Sequence, residues 1–351
     1  MNTKIKYTII AIIVCCFSSV CFADDAPKSK AGKTSYTVEE QQAINKGLEW
    51  LVSQQRRAGH WIGPNGRYPV AMTALSGIAL SCEGSTTTQG KYSMNIRRAI
   101  DYLVAQSQPN GLIGSPQDDR YIYGHGFAML FLSQALGEEE DADRRVNLID
   151  VLSRAVVFSG QAQTSNGGWG YVSAKEGSDF DEGSTTITQV QGLRGCRNAG
   201  IPVPKEIIDK AVSYIHKCTK DDGGVIYSLK SGGGGRPAIT AAAVACLLNA
   251  GEYDDSCVPK QLDYCRKNLD NLSNSGMGYW HYAHYYYAQV KYRTGGEEWD
   301  KYRGEITKKL LSEMQSNGCW NQGGYNGPVM TTAINLTILQ LNKGLLPIYQ
   351  R

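Results

Sequence analysis

A recurring turn between apolar segments constrains this chain more than any other feature of its sequence. The turn combines a glutamine, a glycine and a tryptophan in three clear copies: Gln55-Gly59-Trp61, Gln163-Gly167-Trp169 and Gln315-Gly318-Trp320. Three weaker copies keep a turn glycine, at Gly111, Gly223 and Gly276. The glycines therefore recur roughly every 50 residues, the length of a repeat made of two helices.

The two helices predicted for each repeat differ in character. In the fourth repeat, Ile207, Ala211 and Ile215 follow helical spacing while charged residues occupy the other side. The second segments are apolar on most sides, over residues 70–80, 126–136, 239–248 and 333–341. Because a helix that is apolar all round must be buried all round, we expect six second helices inside a ring of six first helices. The sequence thus predicts an all-α fold, a single α/α toroid over residues 37–351. The alternative, an open solenoid, needs polar caps that neither terminal repeat shows.

The turn resembles the QW repeat of squalene-hopene cyclases and of protein prenyltransferase β subunits. The first copy matches the consensus in full, from Lys46-Gly47 through Trp50-Leu51 to Gln55, Gly59 and Trp61. The resemblance implies an α/α toroid with one barrel, where squalene cyclases have two, and it specifies activity only weakly. A glutamine amide can bond the free backbone groups at helix ends, and an aromatic ring can stack over it. We therefore assign structural roles to Gln55, Trp61, Gln163, Trp169, Gln315 and Trp320.

The N-terminus has the pattern of a signal peptide. Lys4 and Lys6 precede an apolar run over residues 7–16, and small residues before Asp24 predict cleavage near Ala23. A membrane anchor is the alternative, but the run is short for a stable transmembrane span. Residues 1–23 are thus predicted to direct export to the periplasm or medium, and residues 24–36 to form a flexible linker. The formal net charge is only +3 and no basic stripe is present, so nucleic acid is not an expected partner.

The cysteines give no sign of a metal or cofactor. Seven of the ten lie after the predicted signal peptide, an odd number, and none form a Cys-x-x-Cys pair. Cys196 and Cys246 lie in apolar runs and are predicted core residues. Cys257 and Cys265 are candidates for a disulfide, with each other or with Cys218.

The turns place chemically active residues at one end of the predicted ring. All six inner helices begin there, and their dipoles favour anions. Asp179-Phe180-Asp181-Glu182 resembles the DxDD acid motif of squalene cyclases, in which the central aspartate protonates an alkene, so Asp179, Asp181 and Glu182 are candidate catalytic acids. The final residue is Glu182 where the motif has Asp, and Gly183-Ser184 replaces Thr-Ala. Capping of the following helix is the alternative role.

Further candidates for ligand binding lie at the same end. Tyr123-Gly124-His125 resembles the segment of prenyltransferase β subunits that contacts the prenyl diphosphate, with Asp119 just before it; packing of His125 in the inner ring is the alternative. Arg236-Pro237 stands where those enzymes carry zinc ligands, so protein prenylation is not expected. The aromatic stretch near residue 280 is predicted to line the cavity or to pack in the core, and its candidates are Trp280, His281, His284 and Tyr285.

Three functions follow as hypotheses. The first is binding of an elongated apolar or isoprenoid-like ligand in the ring, with turnover left open and the family reaction expected to be lost. The second is a non-catalytic scaffold for an exported protein or polymer. The third is an internal thioester between Cys319 and Gln322, because a Cys and a Gln three residues apart resemble the thioester of complement and α2-macroglobulin proteins.

Overall fold

The computed structural model describes residues 36–115, 118–177, 179–273, 279–321 and 326–350, and these residues form helices joined by turns, without strands. The predicted signal peptide and nearly all of the linker lie outside this part of the chain. Six helices form an outer layer: α1 (Val38–Ser53), α3 (Ser93–Ala105), α5 (Ala142–Ala162), α7 (Lys205–Cys218), α9 (Cys257–Leu269) and α11 (Gly296–Glu313). Six form an inner layer: α2 (Pro69–Ser81), α4 (Tyr121–Glu138), α6 (Gly183–Asn198), α8 (Pro237–Ala250), α10 (Trp280–Thr294) and α12 (Gly327–Gln340).

The inner helices form a closed ring. Each packs against the next along the chain, and α12 packs against both α1 and α2. Inner helices are buried on almost every side, as in α8, where residues 239–249 are all buried. Outer helices such as α7 bury one face, with Ile207, Ala211 and Ile215 inward. The predicted all-α toroid of six outer and six inner helices is confirmed, and its closure excludes the open solenoid.

A shared set of hydrogen bonds builds the turns that contain tryptophan. The indole Nε1 of each donates to the carbonyl ten residues earlier, on the preceding outer helix: Trp61 to Leu51 at 2.6 Å, Trp169 to Ser159 at 2.8 Å and Trp320 to Leu310 at 2.7 Å. All three rings are fully buried. The tryptophan thus ties the turn to the end of its own outer helix.

The backbone N–H at the tryptophan position has its own acceptor on the following inner helix. Thr73, Thr186 and Thr332 accept it through Oγ1 in the first, third and sixth repeats. In the fourth repeat Val225 stands in place of the tryptophan, and its N–H donates to Thr240. The second repeat replaces the threonine with His125, whose Nδ1 accepts the N–H of Ile113 at 3.0 Å. His125 therefore occupies a structural position of the repeat.

The turn glycines join each repeat to the next. Gly59, Gly111, Gly167, Gly223 and Gly318 all have a positive φ, between 86° and 98°. A Cβ on any of them would collide with a backbone carbonyl of a neighbouring outer helix, and for Gly318 that helix is α1, where the Lys46 oxygen would lie 2.7 Å away. The glutamines reinforce this contact. Gln55 donates to the Asn95 carbonyl on α3 and Gln163 to the Ile207 carbonyl on α7. Gln315 differs, because within the described part of the chain its amide donates to the nearby Glu313 carbonyl instead.

Side chains fill the ring away from the turns. Gln191 of α6 donates to Gln289 of α10 at 2.7 Å. These two helices are the neighbours of α8 in the ring, so the bond runs through the inside of the ring. The chain beyond α12 covers this end, where the Tyr349 hydroxyl bonds that of Tyr285 and the Ile348 N–H donates to Gln134. The segment after α12 therefore covers the end of the ring opposite the turns.

The structure corrects the expectation about disulfides. Cys257, Cys265 and Cys218 are all unpaired and buried, as are the other four cysteines of the toroid. Burial raises the pKa of the Cys196 thiol to about 12, so this thiol is kept protonated and unreactive. Among the described residues, no helix is both long and apolar enough to cross a membrane.

Candidate functional site

A cavity of about 450 Å³ opens at the end of the ring where the inner helices begin. Every inner helix contributes a residue at or next to its first turn: Tyr68, Arg120, Ser184, Arg236, Tyr279 and Asn326. The volume falls within the usual range of small-molecule pockets, about 300–1,000 Å³. Because six helix N-termini surround it, partial positive charge converges on this space.

Two arginines at the cavity are held by tyrosine rings. The Arg120 guanidinium lies 4.4 Å from the centre of the Tyr171 ring, and that of Arg236 lies 4.6 Å from the Tyr227 ring. The Tyr171 and Tyr227 hydroxyls are hydrogen-bonded to each other, so the four side chains form one continuous rim, which we call the arginine rim. In the described part of the chain Arg236 has no carboxylate within ion-pair distance, and the contact of Arg120 with Asp119 is long, at 3.9 Å. The rim therefore presents positive charge that the fold leaves largely unneutralised.

The cavity is apolar beneath the arginine rim. Leu75, Phe127 and Ile239 line it together with Met72 and Met330, and all but Met330 are buried. No aspartate or glutamate is among the described residues that line it. A positive rim over an apolar floor matches a ligand that has an anionic group and an apolar part.

The backbone is strained at two cavity residues. Tyr68 and Tyr279 cap α2 and α10 with left-handed conformations, at φ 53° and 66°. Such conformations are unfavourable for residues with a Cβ and tend to persist where function requires a fixed side-chain position. Tyr279 is also 70% exposed, which places a large aromatic ring in solvent at the entrance.

The candidate acids do not reach the cavity. Asp181 is fully buried, where it accepts hydrogen bonds from Asn166 at 2.8 Å and from the Leu229 N–H at 3.0 Å. These bonds tie together the loops that follow α5 and α7. Asp179 is bonded to the N–H and hydroxyl of Ser165, which lowers the pKa of its carboxyl and keeps it ionised. Neither side chain lines the cavity, so neither is placed to protonate a ligand there.

Glu182 caps α6 and supports the cavity wall from behind. Its carboxylate accepts the N–H groups of Ser184 and Thr185 at 2.8 and 2.7 Å. It also accepts the Ser184 hydroxyl at 2.6 Å and the Tyr123 hydroxyl at 3.0 Å, and both of these side chains line the cavity. Burial raises the pKa of this carboxyl, against the effect of the bonds it accepts. The Tyr123 and Ser184 hydroxyls also contact each other, so Glu182 and these two side chains form one hydrogen-bonded cluster at the cavity wall.

His125 and Asp119 lie outside the cavity. His125 is fully buried, its Nδ1 accepts the Ile113 N–H, and its Nε2 is 3.2 Å from the Ala155 carbonyl. With both ring nitrogens engaged inside the fold, it has none to offer a ligand. Asp119 is 61% exposed and stands beside Arg67 and Arg120 on the outer surface. Of the candidates near α4, only Tyr123 lines the cavity.

The aromatic residues predicted on α10 pack against other parts of the fold and do not line the cavity. His281 bonds Asn335 of α12, His284 bonds the Tyr302 hydroxyl of α11, and Tyr285 bonds Tyr349. The Trp280 ring contacts that of His284 at a tilt of 40°, with ring centres 4.1 Å apart. The residues of this stretch that line the cavity are instead Tyr279 and Tyr282. A helix buried on all sides gives no periodic signal of which face looks into the cavity.

Arg120 and Arg236 precede inner helices at the mouth of the ring, yet neither they nor Tyr171 and Tyr227 were assigned a part in ligand binding from the sequence. A usable signal existed, because Tyr171 and Tyr227 each follow a turn glycine, Gly167 and Gly223, by the same number of residues. Arg120 and Arg236 likewise both stand immediately before an inner helix. The thioester candidate Cys319 is buried and unpaired, and Gln322 lies outside the described residues.

Comparison with known proteins supports the fold. No family model matches the sequence. No curated protein sequence matches it either. A type II terpene cyclase from Scytonema, solved with geranylgeranyl dihydroxybenzoate, is similar in structure with a TM-score of 0.60 and 14% identity, over 88% of this chain and 98% of the cyclase. An α-1,6-mannanase from Salegentibacter has a TM-score of 0.63 and 8% identity, over 87% of this chain and 99% of its own. A D-mannose isomerase has a TM-score of 0.58 and 12% identity, over 87% and 99%. All three are α/α toroids, and this chain has the same fold. The three similar proteins differ in the ligand or substrate on which each acts.

Proposed function

We propose that this protein binds an amphipathic anion in the cavity at the open end of its ring. The observation that carries the proposal is the arginine rim above an apolar floor. Arg120 and Arg236 would hold the anionic group, each already oriented by a tyrosine ring. Leu75, Phe127 and Ile239 would cover the apolar part. Isoprenoid diphosphates and long-chain carboxylates are ligands of this kind, and the terpene cyclase of similar structure was solved with a geranylgeranyl-bearing acid.

The position of the acids supports binding without acid-initiated cyclisation. A cyclase of this type must present a proton donor to its substrate. Asp181 is instead enclosed by hydrogen bonds to the loops, and Glu182 serves as a helix cap. Glycoside hydrolysis, suggested by the mannanase, requires two carboxyl groups flanking the bond to be cleaved. No described residue lining the cavity supplies one. The protein is thus proposed as a binding protein, acting after export directed by residues 1–23, with a mature N-terminus near Asp24 that mass spectrometry of the exported chain would show.

Two ligands that share the same apolar tail but differ in their charged group test the proposal. We expect farnesyl diphosphate to bind the purified mature protein in calorimetry more tightly than farnesol, because only the diphosphate engages the arginine rim. Arg120→Gln and Arg236→Gln should each weaken diphosphate binding by about 10- to 100-fold, the value of a hydrogen bond to a charged group. Farnesol binding should change little in either variant.

A charge-matched variant serves as the control. Arg197 is exposed in the last turn of α6, at the end of the inner helix opposite the cavity. Arg197→Gln removes the same charge and should bind both ligands like the unchanged protein. Failure of both ligands to bind, or equal diphosphate affinity in all three variants, would rule out the proposed site.

A further inference from the structure

Three potential metal ligands meet on the outer ring, away from the cavity. His216 lies near the end of α7, Asp255 in the loop before α9, and Cys257 at the first residue of α9. Their ligand atoms all lie within 4.8 Å of one another. The closest pair is His216 Nε2 and Asp255 Oδ2, at 2.6 Å. None of the three lines the cavity, so the cluster is separate from the proposed binding function.

The cluster is held in place by the fold. Asp255 Oδ1 accepts the backbone N–H of Cys257 at 2.8 Å, which leaves Oδ2 facing His216. The Asp255 side chain is only 6% exposed and Cys257 is buried, while the His216 side chain is 42% exposed. Two ligands are therefore fixed inside the protein, and the third stands at the surface, where an ion can enter from solvent.

The surroundings contain an unsatisfied polar atom. Gln261 follows Cys257 by one helical turn on the same face of α9, and it is fully buried. Its Nε2 donates to Thr219 Oγ1 at 2.9 Å, and the Thr219 hydroxyl contacts the Cys257 thiol. The Gln261 Oε1 atom has no hydrogen-bond partner among the described residues. A buried amide oxygen without a donor is costly, and metal-bound water is a donor of the kind that satisfies such an atom.

We propose that His216, Asp255 and Cys257 bind a zinc ion, with water completing a tetrahedral site. One nitrogen, one oxygen and one sulfur ligand suit Zn²⁺, whereas Mg²⁺ and Ca²⁺ prefer oxygen alone. On binding, the Cys257 thiol loses its proton to solvent and the thiolate sulfur bonds the metal, while His216 enters as the neutral imidazole. The hydrogen bond between His216 and Asp255 is replaced by a bond from each to the ion.

The sequence conceals this site because its ligands come from two segments. His216 and Asp255 are 39 residues apart, on neighbouring repeats. Asp255-Ser256-Cys257 does have an Asp-x-Cys spacing, but it stands at the start of an outer helix and not beside the cavity, where Arg236-Pro237 stands. Only the packing of α7 against the start of the next outer helix brings the histidine to the other two.

Cobalt spectroscopy and zinc titration test the site. The mature protein, reduced and stripped with a chelator, should bind a single Co²⁺ with the visible bands of tetrahedral cobalt and a thiolate-to-cobalt charge-transfer band. Zinc should displace it. Cys257→Ala should abolish the charge-transfer band, and His216→Ala should weaken zinc binding by more than about 100-fold, beyond the usual effect of losing an outer partner.

A second cysteine on the same helix provides the control. Cys265 is buried two turns further along α9 and is not part of the cluster. Cys265→Ala should keep the band and the zinc affinity, while circular dichroism establishes that every variant is folded. Absence of the charge-transfer band in the unchanged protein would overturn the proposal. So would a band that survives Cys257→Ala.

Discussion

Alanine substitution at two glycines with the same φ distinguishes the cost of a strained backbone from the cost of disturbed packing between repeats. Gly200 follows α6 and Gly223 forms the fourth turn, and both have a φ of 86°. A Cβ on Gly200 would have nothing within 4 Å. A Cβ on Gly223 would overlap the Lys260 carbonyl oxygen and lie 2.5 Å from its carbonyl carbon, on α9. The two sites therefore differ only in whether a neighbouring helix occupies the space.

The magnitudes follow from this difference. Gly200→Ala should lower the free energy of unfolding by about 1–2 kcal/mol, the cost of a left-handed conformation for a residue with a Cβ. Gly223→Ala carries the same strain and also pushes two backbones apart. Overpacking of this kind adds a further cost of about 1–3 kcal/mol. We therefore expect a loss of about 2–5 kcal/mol at Gly223.

Urea denaturation of the two variants and of a reference measures these losses. Gly137 lies in α4 with an ordinary helical φ and open space around it, so Gly137→Ala should leave stability unchanged or raise it by up to about 1 kcal/mol. Equal losses in Gly200→Ala and Gly223→Ala, within about 0.5 kcal/mol, would refute the claim that turn glycines permit the close approach of neighbouring repeats.

Two further predictions concern hydrogen bonds that recur from repeat to repeat. Burial lowers the pKa of His125 to about 4, so the folded protein keeps this ring neutral while the unfolded chain protonates it near 6.5. Stability should then fall as the pH drops from about 6.5 to about 4. His125→Thr introduces the residue that stands at this position in the first, third, fourth and sixth repeats. It should remove about 2–3 kcal/mol of that fall between pH 7 and 4.5, and an unchanged pH dependence would contradict this account. Trp169→Phe should cost about 1–3 kcal/mol, because it leaves the Ser159 carbonyl without its donor. Trp280→Phe is the control, since the Trp280 Nε1 has no partner among the described residues; an equal loss in urea denaturation would count against the turn hydrogen bond.

The fold was predictable because its signals are local and repeated. The turn glycines and the alternation of amphipathic and apolar segments each arise from short-range rules, and six copies reinforce one another. The end of the ring at which the cavity lies followed from the same reasoning, because every turn joins an outer helix to an inner one. Of the residues assigned a catalytic or ligand-binding role from the sequence, Tyr123 is the one that the structure places in the lining.

The individual site residues were less predictable. His125 has the sequence surroundings of an anion-binding histidine, but its repeat position matches Thr73 and Thr186, which bond a turn N–H. Asp181 belongs to an acidic motif, yet it fastens two loops. A short motif records which residues are present, and their orientation depends on the helices packed around them.

The sequence by itself determined a closed ring of helix pairs and the end at which its helix dipoles converge, since periodicity and turn chemistry are properties of the chain alone. The tertiary structure decided which faces of the inner helices line the cavity, because helices that are apolar all round carry no preference for one face. It also decided the pairing of Tyr171 with Tyr227 and of His216 with Asp255. Each pair joins neighbouring repeats, so its contact exists only once the repeats have packed.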